Sequence, residues 1–348
     1  MQNSYREETI IWADVAKCIC VFLVVILHME DHIAVSGWTD DGVITQAWHW
    51  INMFLRPIRL PMLFLVSGML SAKSILHDDK DTVRKYLIKP IYLYGLWSAI
   101  FVTLIPLYPS SANIDLGPIE RMRLVLLMVS PAWYLLALAG FYCIATVTRR
   151  CDLRWLLLVC ALISLCGSFI EPTLSTQTHK LARCLVFFIA GVRLRDALLA
   201  YTAAATPRLL VVSGLFFLGA GTMSVAVGRY LLPVDLVAAA FSLQLAGLIA
   251  TRCQALHPPA RWLGQRTLYI YLLHFPLEVL LSDAVRHNAG PRLLGNAMAG
   301  MLYPLAAAVV VVPAALVLGE TMRRCGFAWM FDLPRWQGFE RKPATARP

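Results

Sequence analysis

A lysine and a histidine stand eleven positions apart on one otherwise apolar stretch, residues 10–29 (IIWADVAKCICVFLVVILHM), as Lys17 and His28. At ~100° per residue, eleven steps return to within ~20° of the starting face of a helix and climb ~16 Å. Asp14, one turn before Lys17, falls within ~60° of the same face. Twenty residues is the length of a membrane crossing, so this face is a polar seam through hydrocarbon. Each ionisable group there costs at least ~2.5–3.5 kcal/mol on insertion scales, which argues against an idle set and for a functional intramembrane site. An imidazole with an unperturbed pKa near ~6.5 can take the proton of a hydroxyl nucleophile. Two other readings stay open: Lys17 could snorkel to the surface with Asp14 neutralising it, and His28 could be an interfacial histidine bonded to a carbonyl.

The next apolar stretch, residues 51–72 (INMFLRPIRLPMLFLVSGMLSA), holds Arg56 and Arg59 one turn apart on one face. Pro57 and Pro61 break the hydrogen-bond ladder beside them and free backbone carbonyls. The two guanidinium groups could stabilise an oxyanion, hold a carboxylate or phosphate, or clamp the broken turn. Because the intervening loop is short, His28, Arg56 and Arg59 are expected to converge. Trp133 and Tyr134 read as aromatic-belt residues, and His274, within LGQRTLYIYLLHFP, as a satisfied core histidine. Glu320 beside Arg323 and Arg324 reads as an interfacial ion pair. The eight histidines show no metal-ligand spacing, and no phosphate loop, dinucleotide fingerprint or serine elbow is present.

These residues must be positioned by membrane helices. The chain has 348 residues, is 59% hydrophobic and 15% charged, and has a mean hydropathy of +0.64. A soluble protein carries about 25% charged residues. The long continuous apolar runs predict an all-α integral membrane protein with about ten transmembrane helices, and exclude a β-barrel. The spans are placed near 10–29, 51–72, 90–107, 132–148, 153–170, 181–195, 208–228, 231–250, 267–285 and 298–319. Segment 114–130 is amphipathic and reads as a re-entrant or surface helix. Lys and Arg in the loops favour one side by about three to one, which predicts both termini in the cytoplasm. The net charge of +10 then reflects that bias and not a nucleic-acid partner. The nine cysteines are scattered and read as small hydrophobes. The acidic start, with no small-residue cleavage site after the apolar run, predicts that the first span is retained. One domain, 1–348, is expected, with 321–348 as a cytoplasmic tail.

The chain resembles the acyltransferase-3 family of bacterial membrane acyltransferases. WADVAKCICVFLVVILH is similar to its basic-x10-histidine first helix, matched by Lys17 and His28, and RLPMLFLVSGML to its SG-bearing second helix. AWYLLAL is similar to a later helix start, and LGQRTLYIYLLH to a stretch near the end. The family often has an R-x-x-R in the loop after the SG helix; here that loop carries Arg84, Lys85 and Lys89, and the strict R-x-x-R is Arg56–Arg59. The resemblance implies a ten-helix bacterial inner-membrane enzyme taking an acyl group, commonly acetyl, from cytoplasmic acyl-coenzyme A to a hydroxyl of a surface glycan or glycolipid. It implies His28 as the catalytic residue, with Lys17 as the motif's basic partner; with Asp14 from the polar seam, His28, Lys17 and Asp14 are the expected catalytic set. Arg56 and Arg59 are then the expected substrate-binding pair. Arg84, Lys85 and Lys89 are expected at the coenzyme's phosphates, the coenzyme being a co-substrate and no cofactor being held permanently. The competing expectations are an exporter of an anionic metabolite, clamped by the arginines, and a non-catalytic subunit of a glycan-export machine.

Overall fold

The computed structural model describes residues 2–31, 42–76, 83–104, 117, 119, 122, 130–167, 178–228 and 231–334, with backbone alone at 2–10, 31 and 291. Among these residues the chain is helical and has no strand. We number the helices α1 (Gln2–Asp31), α2 (Val43–Leu76), α3 (Lys89–Leu104, led in by a π turn at Arg84–Ile88) and α4 (Trp133–Val147). There follow α5 (Leu153–Gly167), α6 (Thr178–Arg193), α7 (Arg195–Ala203) and α8 (Pro207–Val227). The last are α9 (Leu232–Arg252), α10 (His257–Gly264), α11 (Thr267–Asn288) and α12 (Ala297–Arg324). The described part of each of the ten expected spans falls largely on one of these helices. Among the described residues seven helices are long and apolar enough to cross a membrane, α3 being counted with its π turn; the other three that carry expected spans, α4, α5 and α6, have 15, 15 and 16 residues. The amphipathic segment 114–130 lies almost wholly outside the described residues.

The helix ends follow local chemistry. Thr206 caps α8 by accepting from the Leu209 N–H, Pro207 occupies the first turn, and Gly228 closes it at φ +68°. Asn296 caps α12 through the Ala299 N–H at 3.0 Å. α8 turns a row of large apolar side chains outward, among them Leu215, Phe216 and Leu218. Water would penalise that surface and lipid does not, so the multi-pass membrane reading accounts for it.

α1 runs through the middle of the bundle, in contact with α2, α9, α10, α11 and α12. The most extensive pairing is α2 with α6. There Gly68 and Gly191 let two backbones meet: a Cβ at Gly68 would strike the Phe188 carbonyl, and one at Gly191 the Leu65 carbonyl. Small residues at such crossings are how membrane helices gain close packing. After α12 the chain folds back along α3. Trp97 Nε1 donates to the Met330 carbonyl (2.7 Å), Tyr92 to that of Trp329 (3.0 Å), and Lys89 pairs with Asp332 (3.1 Å). The start of the expected tail is therefore packed on the bundle; 335–348 lie outside the described residues.

Candidate active site

α1 separates its polar groups by length. Near the start of its apolar stretch, Lys17 Nζ lies 2.6 Å from Asp14 and donates to the Gly264 carbonyl at 3.2 Å. A Cβ at Gly264 would fall on the Asp14 side chain, so glycine is what lets the α10–α11 corner close over this pair. About 16 Å further along the helix, His28 reaches the other end. Its ring centroid is 5.4 Å from that of His274 and 6.2 Å from that of Phe275, both on α11. His28 is half-buried and His274 fully so. His274 Nδ1 lies 3.0 Å from the Ile270 carbonyl. A carbonyl can only accept, so Nδ1 carries the hydrogen of this bond. Glu278, one turn beyond on the same face, is also fully buried.

Arg59 is bound inward. Its guanidinium donates to the Asn52 side chain and backbone carbonyl and to the Leu23 carbonyl of α1, and the residue is 2% exposed. Asn52 in turn donates to Glu30, which also meets His49 at 3.3 Å. This chain of bonds spans the turn weakened by Pro57 and ties α2 to α1. The clamp reading thus describes Arg59, while Arg56, half-buried, stands on the wall of a cavity of about 340 Å³ that also takes in His28, Lys180 and Arg183. His28, Arg56 and Arg59 do converge on one space, as expected from their spacing.

Tyr134 lines the same cavity, held by α11: its N–H donates to the Tyr271 hydroxyl (3.3 Å), which donates to the Pro131 carbonyl (2.7 Å). Its own hydroxyl meets Ser67 Oγ at 2.9 Å. Ser67 lines a second space, a largely apolar groove of about 220 Å³ with Lys85, Lys89 and Tyr142 on its walls. The two spaces are stacked along the same helices. On α2 cavity residues end at Leu63 and groove residues begin at Ser67; on α4 they change between Tyr134 and Leu135. On α6 the cavity holds Cys184 and the groove Phe188, and on α11 Tyr271 and Leu268. Arg84 donates to the Pro334 carbonyl at 3.2 Å and is not on the groove wall.

Three features escaped sequence reasoning. His274 is not merely a core histidine but the aromatic neighbour of His28. Arg183, counted with the loop cations, is 5% exposed and forms a two-pronged ion pair with Asp235 of α9. Tyr134, read as a belt residue, separates cavity from groove. A polar residue at i+3 or i+4 to another polar group in apolar sequence, as Glu278 is to His274, was the available signal for the first. Glu320 does pair with Arg323 (2.7 Å) and Arg324 (3.1 Å).

Comparison with known proteins bears on what this site does. An acyltransferase domain model of the acyltransferase-3 type matches residues 10–320. The chain is 30% identical over 69 residues to the inner membrane protein YcfT of Escherichia coli (strain K12). That stretch is 19% of this chain and 19% of the relative, so the match spans about a fifth of that protein's length. No solved structure matches. Matched over nearly all of its length, this multi-pass membrane chain belongs to the acyltransferase-3 family.

Proposed function

We propose that this protein is an O-acyltransferase of the bacterial inner membrane, moving an acyl group, in the simplest case acetyl, from cytoplasmic acyl-coenzyme A to a hydroxyl of a cell-envelope or exported glycan. The observation that carries this reading is the end-to-end stacking of groove and cavity, with Ser67 and Tyr134 at the junction. In it the termini and the Lys17 end face the cytoplasm and His28 faces outward. Lys85 and Lys89, with Arg84 close by, suit the coenzyme's phosphates, since a polyanion gains most from clustered cations. The apolar groove suits its uncharged thioester arm. The acceptor enters the cavity from the opposite end.

The chemistry then needs few parts. His28 takes the proton of the acceptor hydroxyl while that oxygen bonds to the thioester carbonyl carbon, giving a tetrahedral oxyanion. The cations of the cavity wall favour that charge. Collapse breaks the carbon–sulfur bond, and the proton on His28 passes to the departing thiolate, leaving ester and coenzyme A. His274 positions the His28 ring. Lys17 and Asp14, a helix length away, act through the α10–α11 corner and not at the reacting atoms.

Replacing His28 with Ala tests the reading. In membranes supplied with acyl-coenzyme A, glycan acylation is expected to fall about 10²–10⁴-fold at unchanged protein level. Unchanged acylation would overturn it.

A further inference from the structure

The chain that follows α12 reverses and lies against the end of the bundle where the groove's cations stand. Gly326, at φ +92°, makes the reversal in a backbone conformation that residues with side chains rarely adopt. A short 3-10 turn, Phe327–Met330, then leads into a strap formed by residues 331–334. Phe331 is its anchor: the residue is buried, with its ring centroid 4.8 Å from that of Tyr269 on α11 and 5.9 Å from that of Trp97 on α3. Just before it, the Trp329 and Met330 carbonyls accept from Tyr92 and Trp97. Asp332 follows the anchor and is exposed. Its Oδ1 lies 3.1 Å from Lys89 Nζ and accepts from the Leu333 N–H at 2.9 Å. Arg84 donates to the Pro334 carbonyl. Of Arg84, Lys85 and Lys89, the first and last thus hold the strap, and Lys89 also stands on the groove wall.

An ion pair open to water contributes little, so a stronger anion can replace one partner at small cost. Phosphate is such an anion, with more charge and more acceptor oxygens than a carboxylate. We propose that the strap is a built-in competitor for the donor: Asp332 occupies Lys89 in the resting protein, and the coenzyme's phosphates exchange with it. The inference rests on the proposed docking of the coenzyme at Arg84, Lys85 and Lys89, and adds how access to that site is controlled. Phe331 and the bonds to Tyr92 and Trp97 keep the strap within reach, so Asp332 returns when the coenzyme leaves.

The test is equilibrium binding of coenzyme A to the full chain in lipid nanodiscs, at low and raised ionic strength. Wild type, Asp332→Asn, Asp332→Glu, Lys89→Gln and the double variant Asp332→Asn with Lys89→Gln are compared. Asp332→Asn is expected to bind about threefold more tightly than wild type, a gain that salt reduces. Asp332→Glu, which keeps the charge, stays near wild type. In the Lys89→Gln background the change at Asp332 gains nothing, since the competition has lost its object. Deuterium uptake by peptides covering 331–334 rises in wild type when coenzyme A binds, as the strap loosens. Four results would overturn the proposal: Asp332→Asn binding no more tightly, a gain shared by Asp332→Glu, a gain persisting in Lys89→Gln, or unchanged uptake. Wild type that binds no coenzyme A, or binding that Lys89→Gln leaves unweakened, would overturn the docking site itself and the competitor with it. The two readings therefore fail on different measurements.

Discussion

A histidine working alone in a membrane cavity could rotate between several hydrogen bonds, and only some would aim its lone pair at a hydroxyl. His274 limits that freedom. Its Nδ1 is committed to the Ile270 carbonyl, and its ring lies 5.4 Å from that of His28. Replacing His274 with Gln is expected to lower kcat about tenfold or more while leaving KM for acyl-coenzyme A near its wild-type value, as befits an orienting group. Steady-state kinetics in membranes would show it; an equal rise in KM would instead assign His274 to donor binding. At this same scale Arg56 and Arg59, alike in sequence, separate in role. Arg59 donates to carbonyl and amide oxygens on two helices, whereas Arg56 faces the cavity. Spacing put both on one face, but which guanidinium is consumed by the Pro-weakened turn depends on where Asn52 and Leu23 lie in space. The pairing of His28 with a residue 246 positions away was hidden for the same reason.

At the scale of elements, the crossing of α2 and α6 holds the site together. Ser67 and Gly68 are adjacent and act on different sides of α2: Ser67 meets Tyr134, and Gly68 receives the backbone of α6 at Phe188. Any side chain at Gly68 or Gly191 must push carbonyl groups apart, since backbone cannot yield as a flexible side chain can. Gly68→Ala and Gly191→Ala are each expected to destabilise the fold by about 1–3 kcal/mol, read as a fall in thermal midpoint in detergent. Widening the crossing should also lower activity below the loss of folded protein, because Arg183 and Lys180 ride on α6. An unchanged midpoint in both variants would show that this crossing is not a constraint. The helices themselves were legible, since apolar runs of span length have few alternatives in lipid. The Arg183–Asp235 pair was not, because each residue reads as a single charge at the edge of its own span until α6 and α9 are placed side by side.

For the whole molecule, the exporter expectation and the proposed acyl transfer share a requirement for a route between two ends of the bundle, and membership of an acyltransferase family favours the second. The central position of α1 makes that route economical, because its apolar span carries the Asp14–Lys17 pair near one end and His28 near the other. Such an architecture has an electrical consequence. A groove and a cavity that approach each other across a bilayer leave the membrane's insulation to whatever lies between them, and here the hydroxyls of Ser67 and Tyr134, 2.9 Å apart, stand at that boundary beside the buried ring of Phe64. The cell's ion gradients would drain through a wider junction, so a side chain placed to admit the proposed thioester must still refuse small ions. Tyr134→Ala is accordingly expected to make sealed proteoliposomes leak protons in proportion to protein content, followed with an entrapped pH dye. Vesicles as tight as those bearing wild type would mean that the seal lies elsewhere.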